Sequence, residues 1–212
     1  MRRVVTALVL STLAACGGSG GARPPLYQGF TPLEGTAVVF PRATCDVAFV
    51  GSTSAVGVAI TLTDFAGTCD FLTTTSMCGS RADSTFLMAA AIDAVEGGPL
   101  APDLPRTGAY PFLSEPPTGA FRAAIGTAVR TTATCTAQPG TSLDMTAGSV
   151  VISTITDTRV TGSLNLVFED GTSYQHPFDV ARCAPPADIC NLITFGACIP
   201  TFPPWQCIQP PQ

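Results

Sequence analysis

The chain has 212 residues, of which 46% are hydrophobic and only 12% are charged. This length suits one domain with a substantial core. All ten basic residues are arginine, no run of basic residues occurs, and the formal net charge is −5. This charge pattern argues against a nucleic-acid partner, because phosphate neutralisation needs clustered Lys or Arg. It argues equally against electrostatic docking on anionic lipid.

The N-terminal segment has the layout of a secretory signal. Arg2 and Arg3 form a short positive region, and residues 4–13 form an apolar stretch. This stretch is too short to span a membrane, which takes roughly 20 apolar residues. Residues 1–15 are therefore predicted to be a signal peptide.

The end of this segment, Leu13-Ala14-Ala15-Cys16, resembles the lipobox of bacterial lipoproteins. The resemblance implies that Cys16 carries a diacylglycerol and becomes the first residue of the mature protein, with the membrane as its partner. Gly17, in place of an aspartate, favours the outer membrane within the cell envelope. Residues 16–25 are then a lipidated cysteine followed by a flexible tether, with a reach of ~15–18 Å.

The remaining cysteines predict disulfides. An even number in an exported chain is typical of disulfide bonding, although eight cysteines allow 105 pairings. Proximity suggests Cys69 with Cys78, and strand position suggests Cys135 with Cys183. No CxxC pair and a single histidine argue against a metal site, and no cofactor is predicted. The eight candidates are Cys45, Cys69, Cys78, Cys135, Cys183, Cys190, Cys198 and Cys207.

Residues 26–183 are predicted to form an all-β domain. Threonine and valine are abundant, and Val56, Val58, Ile60 and Leu62 alternate as residues of a half-buried strand do. Residues 85–94 contain alanines that would suit a helix, but we interpret them as a strand. About nine strand-like segments favour an antiparallel two-sheet sandwich, with a closed β-barrel as the alternative.

The clearest local prediction is a hairpin near the end of this domain. Apolar residues before and after Glu169-Asp170-Gly171 all have even numbers. A three-residue loop with Gly171 in the left-handed conformation keeps both sets on one face of the sheet. This loop pairs Leu166 with Tyr174 and Gly162 with Phe178.

Residues 184–212 differ in composition from the domain. They contain seven prolines, three cysteines and the only tryptophan, Trp205. We expect an irregular tail held by disulfides. Trp205 either packs this tail onto the domain or docks on a partner, as aromatic residues in proline-rich segments can.

No catalytic constellation is apparent. His176 is the only histidine and lies in a predicted strand. The sequence has no GxSxG motif whose serine this histidine could activate as a nucleophile. Paired acids could still hydrolyse a glycoside, and the candidates are Asp93, Glu96 and Asp103 in one loop-rich stretch and Glu169 with Asp170 in the hairpin. The 93–103 loop could also hold calcium. Turn formation and solvation explain these acids more simply. We therefore predict that the chain is not an enzyme.

Parts of the domain also resemble cysteine-rich all-β envelope lipoproteins, a group without an assigned activity. The similar segments are Gly148-Ser149-Val150-Val151-Ile152, Val160-Thr161-Gly162-Ser163-Leu164, Phe168-Glu169-Asp170-Gly171, Phe178-Asp179-Val180-Ala181-Arg182-Cys183 and LPRTGAY at residues 104–110. Three hypotheses follow: a non-catalytic binding or structural module on a lipid anchor, with a protein or glycan partner of unknown identity; a secreted hydrolase using carboxylates; or an adhesin or inhibitor that acts through the tail.

Overall fold

A computed structural model describes residues 27–47, 51–70, 82–96, 102–114, 119–133, 138 and 140–184. Eight β-strands lie within these residues, where the sequence indicated about nine. They are β1 (Glu34–Val47), β2 (Gly51–Thr63), β3 (Thr85–Glu96), β4 (Gly108–Pro111), β5 (Ala120–Arg130), β6 (Leu143–Ile155), β7 (Arg159–Phe168) and β8 (Ser173–Cys183). The protein is all-β as predicted, and Thr85–Ala94 lies in a strand.

Seven strands close into a barrel in the order β6-β5-β3-β2-β1-β8-β7, and β7 pairs back with β6. The short strand β4 pairs with β6, and an isolated parallel bridge joins Phe112, just after β4, to Ala124 of β5. The barrel alternative is therefore confirmed, and the sandwich is not. The barrel and the sandwich are similar architectures in this protein, because the ring consists of two sheets joined along two short seams.

The first seam is the parallel pairing of β1 with β8, which covers Thr36–Val38 and Ala181–Cys183. The second is the antiparallel pairing of β5 with β6, which covers only Thr127 and Ala128 opposite Asp144 and Leu143. Between the seams, β5-β3-β2-β1 and β4-β6-β7-β8 pair extensively with their neighbours. We call these the first sheet and the second sheet.

Alternating apolar side chains fill the barrel. The predicted alternation in β2 is confirmed, since Val58, Ile60 and Leu62 are buried in the interior cluster. Leu87 and Ala89 of β3 and Leu164 and Leu166 of β7 have the same inward parity in their own strands and join this cluster. The interior is thus occupied by side chains.

Each end of the barrel is closed by a buried tyrosine. At one end, Tyr27 packs its ring 6.2 Å from that of Phe168 and donates its hydroxyl proton to the carbonyl oxygen of Thr141. The guanidinium of Arg130 lies over the same ring, 5.5 Å from its centroid. At the opposite end, Tyr110 from β4 is fully buried among ionised side chains.

The β7–β8 hairpin matches its prediction. Leu166 pairs with Tyr174 and Gly162 with Phe178. Gly171 has φ +82°, the left-handed conformation that the three-residue loop requires. Asp170 accepts hydrogen bonds from the backbone N–H and the hydroxyl of Thr172, both at 2.8 Å, which accounts for an acid at this turn.

The prediction that β2 is half-buried was wrong, because the first sheet is apolar on both faces. Residues facing away from the barrel interior form a second buried cluster: Val38, Phe40, Ala55, Ala59, Ala90, Ile92, Ala94 and Cys183. The outward face of the second sheet carries exposed polar residues in contrast, such as Asn165 and Gln175. The two sheets therefore have different outer surfaces.

Both suggested cysteine pairings were wrong. A disulfide joins Cys69 to Cys183, with their Cα atoms 5.7 Å apart. Parallel pairing of β8 with β1 places Cys183 opposite Val38, and a helical turn at residues 68–70 brings Cys69 to the same outer surface. Cys78 and Cys135, the two suggested partners, lie outside the described residues. Because Cys69 is bonded to Cys183, proximity along the chain did not identify its partner.

Candidate functional site

Among the described residues, the most concentrated group of ionised side chains lies at the Tyr110 end of the barrel. Asp93 on β3 and Arg122 on β5 are direct cross-strand partners. Both share the inward parity of their strands, which Ala91 and Ala124 also have. Arg106 comes from the connection before β4, and Tyr110 comes from β4 itself. We call Asp93, Arg106, Tyr110 and Arg122 the aspartate cluster.

Asp93 is the centre of this cluster, with a side chain only 2% exposed. Its Oδ1 accepts hydrogen bonds from Nη2 of Arg106 at 2.7 Å and from Nε of Arg122 at 3.0 Å. Its Oδ2 lies 2.8 Å from the hydroxyl of Tyr110, which is also 2.5 Å from the carbonyl oxygen of Arg106. Both carboxylate oxygens are therefore bonded within the protein.

Electrostatics keep Asp93 ionised. Burial raises the pKa of this carboxyl, but hydrogen bonds from Arg106 and Tyr110 and the charges of both arginines outweigh burial and lower the pKa below its ordinary value. Burial, together with the neighbouring carboxylate, raises the pKa of Tyr110. At neutral pH Asp93 is thus an acceptor with no proton to give, and Tyr110 remains a neutral phenol.

Arg122 is also held on several sides. Its Nη2 lies 3.0 Å from the carbonyl oxygen of Thr107, and its guanidinium lies over the ring of Tyr110, 4.1 Å from the centroid. Such a cation–π contact adds about 1 kcal/mol where water is partly excluded. These bonds join β3, β5 and the entry to β4, so the cluster ties the barrel end together.

A depression of about 190 Å³ lies directly outside this cluster. Its lining includes Arg106, whose side chain is 59% exposed, and the apolar residues Pro102 and Phe121. Small-molecule sites typically enclose ≈ 300–1,000 Å³, so this depression is small for a ligand of ordinary size. Arg106 is the member of the cluster that solvent reaches most readily.

A second depression, of about 160 Å³, contains the only histidine. His176 is half-buried and stacks on Tyr174, with ring centroids 5.7 Å apart. The acids beside it have partners, because Glu34 accepts the backbone N–H groups of Gly67 and Thr68, and Asp179 pairs with Arg159 at 2.6 Å. In the part of the chain that the structure describes, both acids lining this depression are thus bound to groups other than His176.

The structure separates the other predicted acids. Asp103 is 83% exposed and pairs with Arg42 at 2.8 Å, away from the interior. Glu169 and Asp170 lie in the β7–β8 turn, and the side chain of Glu96 lies outside the described residues. Among the described residues, no group of three or more His, Cys, Asp or Glu side chains could hold a metal ion. The hydrolase interpretation stays a prediction.

Several other predicted site residues lie outside the part of the chain that the structure describes. These are Cys16, Trp205, Cys78, Cys135, Cys190, Cys198 and Cys207, together with the signal and tether segments; Cys45 lies in β1, but its side chain is not described. Within the described ranges, no helix is long and apolar enough to cross a membrane.

Arg106, Tyr110 and Arg122 were missed by sequence reasoning. One signal was present, since Arg122 has the same parity as Ala124 and Ala128 in a largely apolar strand. An arginine on that face needs a buried acid opposite, and Asp93 has the matching parity in β3. Comparison with known proteins adds no relative, because no family model, curated protein or solved structure matches this chain.

Proposed function

We propose that this protein is a lipid-anchored component of the bacterial cell envelope and that its barrel is a non-catalytic binding or structural module. The lipobox-like Leu13-Ala14-Ala15-Cys16 and the short apolar segment before it support the anchor. The disulfide between Cys69 and Cys183 supports an oxidising compartment, since such bonds are rare in the cytosol.

The packed interior of the barrel is the observation that carries the non-catalytic part. Small barrels that hold a ligand do so in a central cavity, whereas this one is occupied by side chains such as Leu62, Leu87 and Leu166. Tyr27 and Tyr110 close its two ends. A partner would therefore meet the outside of the barrel, which suits a protein or glycan surface better than a small molecule.

The aspartate cluster supports the same reading. A general acid needs a proton near neutral pH, and a nucleophile needs a free oxygen within reach of a substrate. Asp93 has neither, because two arginines and Tyr110 bond its carboxylate and keep it ionised. Its role in this proposal is to hold β3, β4 and β5 in register.

Lipid labelling in a bacterial host tests the anchor. Cells that express the full chain are grown with labelled palmitate, and the protein is recovered from membrane and soluble fractions. We expect label on the wild type in the membrane fraction, and neither label nor membrane association for Cys16→Ser. Ser19→Ala is the matched control, because it alters a nearby tether residue that the proposal does not lipidate and leaves the disulfide intact. An unlabelled wild type, or equal labelling of Cys16→Ser, would contradict the proposal.

A further inference from the structure

The outward face of the first sheet needs a cover. We define the outer apolar face as Val38, Phe40, Ala55, Ala59, Ala90, Ile92 and Ala94. None of these residues is more than 7% exposed in the single chain. A sheet face of this composition would be an exposed apolar patch if nothing lay against it.

The described residues account for only part of this burial. Ala43, Phe121 and Ile125 pack against the outer apolar face, but they belong to β1 and β5 and so lie within the same sheet. Among the described apolar residues, the neighbours from outside the sheet are Cys183, at the end of β8, and Cys69, from the connection after β2. One helical turn cannot cover four strands, which together span ~15–19 Å at 4.7–4.9 Å per strand.

We propose that the C-terminal segment, residues 185–212, covers the outer apolar face of the first sheet. The chain reaches this segment from Cys183, which is itself a member of the buried outer cluster. The disulfide to Cys69 holds this starting point on the surface. The segment therefore begins where the face lies and needs no long connection to reach it.

The composition of this segment fits a cover. In 28 residues (185 to 212) it has one charged side chain, Asp188, and eight large apolar ones: Ile189, Leu192, Ile193, Phe195, Ile199, Phe202, Trp205 and Ile208. Segments that stay in water by themselves are charged and poor in apolar residues, which is the opposite pattern. Fully extended, 28 residues span at most ~90–100 Å, ample to cross the sheet more than once.

Two other occupants fit less well. Residues 71–81 also follow Cys69, but they supply only Phe71, Leu72 and Met77 as large apolar side chains. A second copy is not needed, because the outer apolar face is already buried in one chain. The proposal is independent of the lipid anchor, and it assigns the tail to the barrel rather than to an outside partner.

Fluorescence of Trp205 tests the proposal directly, because it is the only tryptophan in the chain. In the folded full-length protein we expect blue-shifted emission and a several-fold smaller acrylamide quenching constant than in the urea-unfolded chain. Ala59→Arg puts a charge in the centre of the outer apolar face and should raise that constant several-fold. Gln175→Arg, on the exposed face of the second sheet, should leave it unchanged.

Three results would overturn the proposal. The first is equal quenching of Trp205 in the folded and unfolded wild type. The second is no effect of Ala59→Arg on quenching while circular dichroism shows a folded barrel, and the third is equal effects of Ala59→Arg and Gln175→Arg on quenching. A concentration-dependent dimer of the wild type by ultracentrifugation, whose dissociation exposes Trp205, would assign the face to a second copy. The wild-type comparison needs no substitution, so misfolding of a variant leaves the test intact.

Discussion

Removing the disulfide between Cys69 and Cys183 should cost more stability than most single changes in this protein. The bond joins residues 114 positions apart. In the chain-entropy account, closing a loop of that size in the unfolded state stabilises the folded state by about 5 kcal/mol at 25 °C. Globular domains are stable by roughly 5–15 kcal/mol in total, so a variant without the bond should be close to unfolding.

The packing of the sulfur atoms must be separated from the loop effect. Cys183 is 2% exposed, so alanine there also leaves a small cavity that costs about 1 kcal/mol. Cys69→Ala breaks the bond but keeps the sulfur of Cys183 in place. The double variant Cys69→Ala/Cys183→Ala breaks the bond and removes both sulfurs. The difference between the two variants therefore measures packing alone.

Urea unfolding of wild type and both variants under oxidising conditions gives the free energies. We expect a loss of about 4–5 kcal/mol for Cys69→Ala, a further loss of about 1 kcal/mol for the double variant, and larger m-values for both because their unfolded chains expand. A loss below about 1 kcal/mol for Cys69→Ala would refute the loop account. Peptide mapping that joins Cys69 to a cysteine other than Cys183 would refute the pairing itself.

Three further changes test the interior. Asp93→Asn leaves two guanidinium groups without their carboxylate and should cost about 2–3 kcal/mol by urea unfolding, less than for a fully buried pair because Arg106 is largely exposed. Because the folded pKa of Asp93 is lowered, its contribution to the free energy of unfolding is present above the ordinary carboxyl pKa and is lost as the pH falls through the folded value. In a series of unfolding measurements, the difference in stability between wild type and Asp93→Asn should therefore narrow below about pH 4. A difference that stays constant with pH would contradict this. Gly162→Ala would drive a Cβ into the carbonyl oxygen of Val151, so we expect the free energy of unfolding to fall by about 3 kcal/mol or the protein not to fold. For the control Gly140→Ala, where open space surrounds the position, we expect a loss of about 1 kcal/mol. Tyr174→Phe should raise the melting temperature and stabilise by about 1 kcal/mol, because the buried hydroxyl, whose pKa burial raises to about 12, has no hydrogen-bond partner among the described residues; a destabilised variant would show that a partner exists.

Local patterns in the sequence predicted local structure well. The even numbering of Leu166 and Tyr174 determined both the loop length and the register of the β7–β8 hairpin, because side chains alternate with a period of two on either side of a short turn. The same alternation identified the inward face of β2. These predictions depend on residues close together in the chain.

Local patterns of this kind could not predict that the two sheets close into a barrel. Whether two sheets stay apart or join into a ring depends on how β1 meets β8, and no local signal links residues 36–38 with 181–183. The disulfide partner of Cys69 follows from that same meeting. The aspartate cluster similarly needs the register of β3 against β5, which places Asp93 opposite Arg122.

The buried outer face was missed for a different reason. Alternation of Val56, Val58, Ile60 and Leu62 led to the expectation of a polar second face, but the intervening positions are small residues such as Ala55 and Ala59. Alanine is weakly hydrophobic and suits an exposed or a buried site equally well, so its burial is decided by what lies against it.

The meeting of β1 with β8 also sets an order of events during synthesis. A polypeptide is made from its amino end, so β1 emerges long before its neighbour β8, which lies 145 residues further on at the bond between Thr36 and Ala181. Until then β1 presents an open strand edge, the kind of surface that invites pairing with other chains. The barrel and the bond from Cys69 to Cys183 therefore cannot form until the end of the domain has been made. The chain is most exposed to pairing with other chains in the interval before closure.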